Sequence, residues 1–338
     1  MLGSMSLVNR PLSNLSQLYG AIRSDLQSDD RYQEGLHVML GVSGGVDSML
    51  LMYIFHDLAL DLGFKVSVGH IVHGTQVQYN SKAAELVIAK CQALSLPCFQ
   101  YCLKSGKTWS EDSLRKKRRE ALMAIAAQEH AQYIVLGHHL DDHTETFLMR
   151  LFSGTKAKGL SSIRKWQDGL WYRPLLRVSK ALIYREAETL NIPYLEDQSN
   201  QDNRFNRNLI RNQLIPLIQS SINPKLSEHI LDLSQWMSDA HQVIESLAIE
   251  RLTQAKQGEH KYDKRMFLEA PKVVTQEMLI LGYRAQSDPH AALSSQHIKT
   301  LEKMLKSTTG PKKYELPESV SCVMDHRNVT FVKKFPSP

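Results

Sequence analysis

Between residues 36 and 152, strand-length apolar runs alternate with helix-length stretches, and this alternation constrains the fold more than any other feature. Leu36 to Val42 is a short apolar run ending in a glycine-rich turn, and Asp47 to Leu60 continues as an apolar-rich helix. Phe64 to Val72 and Ser81 to Leu96 repeat the pair. Cys98 to Leu103 and Tyr133 to Leu136 supply two more strands, with a charged helix from Ser110 to about Gln128 between them. A further helix runs from about Asp141 to Phe152. Repeated βα units need crossover connections, so they predict an α/β fold, a parallel sheet with helices on both faces. Ligands in such sheets sit beyond the carboxyl ends of the strands, so the loops that follow the strands are where function is expected.

The 338 residues are enough for about two domains. Prolines 174, 193 and 216 interrupt residues 153 to 220, and a boundary is expected near Asn223-Pro224, dividing 1–222 from 223–338. Past it, Leu226, Ile230, Leu233, Met237, Ala240, Ile244 and Leu247 recur at spacings of four and three, an apolar seam on one long helix. A hairpin is expected from Val320 to Val332, turning at Asp325 to Asn328, which makes the second domain a small α+β unit. Neither an internal repeat nor a low-complexity segment is found.

Composition excludes several classes. Hydrophobic residues at 42% and charged residues at 22% rule out wholesale disorder. The longest apolar run, Met49 to Phe55, is far short of the ~20 residues that span a bilayer, and the first twenty residues lack a secretory core. A cytoplasmic protein without membrane partners is therefore expected, with Met1 to Met5 set aside from the argument. The net charge of +6 suits an anionic partner without naming one. Cys91, Cys98, Cys102 and Cys322 contain no Cys-x-x-Cys pair, so they read as small buried residues rather than as ligands of zinc or an iron–sulfur cluster.

The sharpest local signal is Ser43-Gly44-Gly45-Val46-Asp47-Ser48, between the first strand and its helix. Two glycines let a ligand approach the backbone, and the helix start offers N–H groups to an anion. Ser43 and Ser48 add hydroxyls, and Asp47 suits Mg²⁺ held against phosphate oxygens. A capped turn would use the same residue types, but this one sits at a strand's carboxyl end. It fits neither the GxxxxGK[ST] nor the GxGxxG pattern, so a Walker-type kinase or GTPase and a Rossmann dehydrogenase lose support.

Three more segments fall at strand ends or on a basic helix. After the second strand comes His70-Ile71-Val72-His73-Gly74, and after the fourth His138-His139-Leu140-Asp141-Asp142-His143-Thr144-Glu145-Thr146. Asp142 and Glu145 share a helix face, where they either complement the helix dipole or serve a ligand. Glu111, Arg115 and Arg118 share another, in a stretch from 101 to 120 with seven basic against three acidic residues. That stretch is either a solvated basic face or a contact for phosphates, whose geometry the arginine fork matches.

SGGVDS resembles the signature of the N-type PP-loop ATP pyrophosphatases. With the HxxHG turn, ExxxRxxR, HHxxDxxET, Gly154 with Gly159-Leu160, Arg173-Pro174-Leu175-Leu176, and Glu196-Asp197-Gln198-Ser199-Asn200 followed by Arg207-Asn208 and Arg211, the chain resembles the tRNA(Ile)-lysidine synthetases. These landmarks cover about residues 36 to 216 in order, and residues 224 to 334 are a weaker match that includes Leu316-Pro317. Arg119 departs from the family's tyrosine, Ser153 and Lys156 interrupt its RGSG-like run, and the third domain of longer members is not seen.

The resemblance implies a PP-loop catalytic domain, a smaller tRNA-binding domain and an ATP-dependent ligase. Such an enzyme cleaves ATP to AMP and pyrophosphate and joins free L-lysine to C2 of the wobble cytidine of a CAU-anticodon tRNA(Ile). Ser43, Gly44, Gly45, Val46, Asp47, Ser48, His70 and His73 would bind ATP, with Mg²⁺ near Asp47. Arg118 and Arg207 would stabilise the transferring phosphate. Asp142 and Glu145, helped by Asp47, would attract the lysine ammonium and take its proton, and His138 and Arg115 would line the substrate pocket. A homodimer is one expectation for the assembly. A sister PP-loop enzyme that thiolates a tRNA cytidine is the alternative.

Overall fold

The computed structural model describes residues 16–33, 35–73, 77–103, 111–155, 157–161, 163–196, 206–288 and 291–333. They fall into two compact units, one reaching to Ser234 and the other starting at Gln235.

In the first unit, α1 (Gln17–Gln27) precedes the alternating series β1 (His37–Gly41), α2 (Val46–Leu62), β2 (Lys65–His73), α3 (Val77–Ala93), β3 (Cys98–Leu103), α4 (Glu111–Gln128), β4 (Tyr133–Leu136) and α5 (Leu140–Phe152). Next come α6 (Ala157–Leu160), the two-residue strands β5 (Trp166–Gln167) and β6 (Trp171–Tyr172), and α7 (Lys180–Thr189). After α8 (Asn206–Leu209), a π-helical turn over Ile210–Leu214 leads into α9 (Ile215–Ser221). The sheet order is β3-β2-β1-β4-β6-β5. Every pair is parallel except β5 with β6 at the edge. The fold is thus the doubly covered parallel sheet that the alternation predicts.

The two faces can be read residue by residue, because side chains alternate along a strand. Val38 and Leu40 of β1 and Val135 of β4 enter one core with α1, α2, α3 and α7. Met39 and Ile134, one position along, enter the opposite core with Leu122, Ile125 and Ala126 of α4. Helix α2 has apolar residues on all sides and buries nine of its residues, as a helix without a polar face must. It ends at Gly63, whose left-handed backbone lets its N–H reach Ala59 O at 3.0 Å.

Helix α10 (Leu226–Ala255) begins in the first unit and continues into the second. Leu231, near its start, packs with Leu140, Ile163 and Leu176, and the first unit runs to Ser234, twelve residues past the expected end at 222. The buried stripe of α10 also departs from the apolar seam. It runs through Ser227, Ile230, Leu231, Ser234, Ser238, His241, Ala248, Leu252 and Ala255, so it shares Ile230 with the seam, while Leu233 and Leu247 stay 44% exposed. Four of those positions are polar, so an apolar count follows only part of the stripe.

The second unit continues with β7 (Lys256–Gly258), β8 (Lys261–Asp263), α11 (Lys264–Leu268), α12 (Lys272–Arg284), α13 (Ser295–Leu305), β9 (Lys312–Glu315), β10 (Val320–Met324) and β11 (Asn328–Lys333). The expected hairpin is β10–β11, and it forms the middle of a five-stranded antiparallel sheet ordered β7-β8-β11-β10-β9. Val320, Cys322, Met324, Val329 and Phe331 cover one face against Met278, Leu279 and Tyr283 of α12 and Leu301 of α13. Among the described residues, no helix is long and apolar enough to cross a membrane.

Candidate active site

The strand order reverses between β1 and β4, so the segments after these two neighbours flank one crevice. Residues 43–48 follow β1 and residues 137–142 follow β4. Their approach is tight. A Cβ on Gly137 would lie 3.1 Å from Asp47 Cβ and 3.2 Å from Ser48 N, so only glycine lets the end of β4 pass the first turn of α2 without displacement.

The loop after β1 is held by its own serines. Ser43 N–H donates to Ser48 Oγ at 3.1 Å, and the Ser48 hydroxyl donates to Gly45 O at 3.0 Å. Gly44 has φ +91°, a conformation that a side chain strains, and a Cβ there would meet Ala83 at 3.2 Å. Gly45 is the N-cap of α2 and has no side chain to offer, so no side chain caps the first N–H groups of the helix. This is the arrangement that receives anions.

Asp47 stands in the first turn of α2, and both its oxygens accept from Lys180 Nζ at 2.7 Å. Lys180 comes from α7, whose N-cap Ser179 accepts from Leu182 N. The cleft that these groups border measures about 450 Å³, and Ser43, His70, Arg118, Tyr184, Tyr194 and Glu196 are among its lining. His70 is 3% exposed and donates from Nδ1 to Val42 O at 2.7 Å. Burial lowers its pKa and keeps the ring neutral, which leaves Nε2 an acceptor with no hydrogen-bond partner among the described residues.

Beside the cleft lies a cluster of carboxylates and guanidinium groups. Glu145 of α5 is 1% exposed and receives both Arg207 and Arg211. Arg207 Nε donates to Oε2 at 2.8 Å, while Arg211 Nε reaches Oε1 at 2.5 Å and its Nη2 reaches Oε2 at 2.9 Å. Arg207 Nη2 also donates to Asp142 Oδ1 at 3.1 Å. Burial works against the charge on Asp142, but His139, His138 and Arg207 overcome it and hold the carboxyl well below its ordinary range.

His139 connects the two halves. Its Nε2 is 3.3 Å from Asp142 and 3.7 Å from Asp47, and its Nδ1 is 3.5 Å from Asp141. Burial alone would lower its pKa, but the carboxylates of Asp142, Asp141 and Asp47 raise it above the ordinary histidine value. Its neighbour His138 behaves in the opposite way. Burial, aided by the nearby arginines, pushes it down to about 3, and its Nδ1 accepts from Arg173 Nε at 3.3 Å. Arg173 itself is 2% exposed and is pushed down to about 10 by burial and by the charges of Arg119 and Arg115. Arg115 is also lowered, by burial and then by Arg207, Arg150 and Arg119. Mutually repelling buried cations of this kind favour an anionic ligand.

Residues 16–218 match the family model described as the PP-loop domain. The chain belongs to the PP-loop family. Similar curated PP-loop proteins include the tRNA(Ile)-lysidine synthase of Geobacillus kaustophilus (strain HTA426), 27% identical over 327 residues, which covers 92% of this chain and 69% of that protein. The tRNA(Ile)-lysidine synthase of Francisella tularensis subsp. holarctica (strain OSU18) is 33% identical over 226 residues, or 65% of this chain and 55% of that one. The chain therefore spans between about half and two thirds of the length of these relatives. Among solved structures, the U34-tRNA thiolase NcsA from Methanococcus maripaludis, solved with its [4Fe-4S] cluster, shares the fold. Its TM-score is 0.55 and its identity 17%, with 65% of this chain and 78% of that one covered.

Against the PP-loop frame, the structure gathers most of the sequence-derived candidates. Ser43, Gly45, Val46, Asp47, His70 and Arg118 line the cleft, and Gly44 and Ser48 shape the loop that forms its edge. Asp142, Glu145 and Arg207 form the adjoining cluster with Arg211, and His138 and Arg115 lie close enough to act on Asp142. The His73 side chain and residues 197–205 lie outside the described residues. Lys180, Tyr79, Tyr184 and Tyr194 line the cleft and are not among the sequence candidates.

Proposed function

We propose that the chain is an ATP-dependent tRNA-modifying ligase of the cytoplasm. It would join free L-lysine to C2 of the wobble cytidine of a CAU-anticodon tRNA(Ile). The similarity to named tRNA(Ile)-lysidine synthases supports the substrate. One observation supports the chemistry above the others: buried His139 lies within 3.7 Å of Asp47 in the phosphate loop and within 3.3 Å of Asp142 in the arginine cluster. On this reading a nucleotide site and a charged substrate site would share one wall, as sequential adenylation and ligation require.

The uncapped start of α2 and the Ser43 and Ser48 hydroxyls would hold the ATP phosphates, and neutral His70 offers Nε2 as an acceptor for the adenine amino group. Asp47 suits Mg²⁺, since it already binds a cation, Lys180, through both oxygens. When bound with ATP, the metal would draw on Asp47 and phosphate oxygens and supply positive charge. The cytidine, turned out of the anticodon stack, attacks the α phosphorus through O2, and pyrophosphate leaves. Arg118 and Lys180 offset charge at the phosphates. The lysine side chain, having given up a proton to water, then attacks C2 as the free amine. The C2–O bond breaks, AMP departs, and the new C–N nitrogen releases its surplus proton to solvent.

Asp142 is held so firmly ionised that it attracts an ammonium well and accepts its proton poorly. Its role is to bind the lysine side chain. Glu145 is fully engaged by Arg207 and Arg211, so it positions those cations instead of meeting the amine.

The thiolation alternative needs sulfur chemistry at the site. Cys91 and Cys322 are buried, Cys98 is half-buried and Cys102 exposed, and none of the four lines the cleft. AMP release from α-labelled ATP separates the readings. Formation that requires both lysine and an unmodified CAU-anticodon tRNA(Ile), with labelled lysine entering the RNA, is the expected result. AMP formed with tRNA but indifferent to lysine would overturn the ligase reading, and no AMP under any combination would overturn the enzyme.

A further inference from the structure

Away from the cleft, within the second unit, a histidine and two glutamates meet across two helices. His241 and Glu245 are four residues apart on α10, so they share one face, and Glu277 faces them from α12. One donor atom from each lies within 4.8 Å of the other two. His241 and Glu277 are largely withdrawn from water, with side chains 8% and 6% exposed.

The spacing is informative. A simple imidazole–carboxylate hydrogen bond closes to about 2.7–3.0 Å. Here His241 Nε2 and Glu277 Oε1 stand 3.8 Å apart. Two donors on a common tetrahedral ion, each about 2.1 Å from it, stand roughly 3.4 Å apart. That separation is near the width that two donors on one shared cation would take. A divalent cation would draw on both carboxylates and on the imidazole at once.

We infer that His241, Glu245 and Glu277 form a Zn²⁺ site that ties α10 to α12. One imidazole nitrogen and two carboxylate oxygens are the donor set of a borderline ion, whereas Mg²⁺ and Ca²⁺ take oxygen ligands. Three protein ligands leave the fourth position to water. The site lies within the second unit, so it acts on the stability of that unit and takes no part in the ATP chemistry.

The test uses the full chain, stripped with a chelator and dialysed against Zn²⁺ alone. The expected result is one equivalent bound at about 1 µM or tighter, with a rise in melting temperature. His241→Ala and Glu277→Gln should abolish that equivalent. Glu245→Gln, at a more exposed position that tolerates change, should weaken it at least tenfold while the metal-free fold, followed by circular dichroism, stays intact. Loss of binding in the variants with lysine ligation unchanged supports the site, whatever reaction the cleft performs. No stoichiometric Zn²⁺ in the parent protein, equal binding by all three variants, or full displacement by millimolar Mg²⁺ would overturn it.

Discussion

Lys180 is the cleft residue that local rules argue against. A cation in the first turn of a helix opposes the helix dipole, yet Lys180 opens α7 directly after its N-cap. The conflict is resolved by Asp47, whose two oxygens it neutralises from 2.7 Å. Charge-assisted bonds of this kind are worth about 1.5–3 kcal/mol. Lys180→Ala should therefore raise the KM for ATP by roughly 10- to 100-fold, read from pyrophosphate release; an unchanged KM would remove Lys180 from the nucleotide site. Glu145 makes a different prediction. Glu145→Gln removes the most buried carboxylate that Arg207 and Arg211 share and leaves them that of Asp142, so a loss of about 1–3 kcal/mol of stability is expected in urea unfolding. The motif residues of the phosphate loop and of the α5 start were legible in the sequence because each lies next to a strand end. Lys180 was not, since it reaches Asp47 across 133 positions of chain. The one available signal was its unfavourable place in the α7 first turn.

At the scale of elements, the site depends on how closely β4 passes the start of α2. Gly137→Ala would place a methyl 3.1 Å from Asp47 Cβ. Overpacking of this sort costs about 1–3 kcal/mol, and here it falls on the phosphate loop. Nucleotide affinity measured by calorimetry should drop about tenfold with the fold retained, and an unaffected affinity would mean that the loop tolerates the shift. The order of helices and strands was readable from periodicity, because β1 and β4 are buried on both faces and are mostly apolar along their length. The two-residue strands β5 and β6 gave no such pattern. The α10 stripe was only partly legible for a related reason. Ser234 sits in it as a polar residue whose hydroxyl donates to Leu160 O and meets His143 Nε2 at 3.1 Å, so the stripe is partly hydrogen-bonded instead of apolar.

For the whole molecule, the buried histidines set the response to acid. Burial pushes His138 down to about 3 and His143 down to about 4, both below the ordinary histidine value near 6.5. Between those values the unfolded chain binds protons that the native state refuses, so stability must rise with pH from about 4 to 6.5 and level off above. His139, whose pKa is raised, acts in the opposite sense: its contribution is complete below the ordinary value and lost as pH rises through the folded one. One raised histidine does not offset two strongly lowered ones. His143→Gln should flatten the acid limb of urea-unfolding free energy by up to about 3 kcal/mol, and an unchanged slope would refute that assignment. The central claim is that one crevice performs two steps, with the phosphate loop serving adenylation and Asp142 holding the lysine. It is tested most directly by following both steps in Asp142→Asn. Pyrophosphate release dependent on tRNA should persist, with adenylated RNA accumulating, while labelled lysine no longer enters. A folded variant that still ligates lysine at the parent rate would contradict the account.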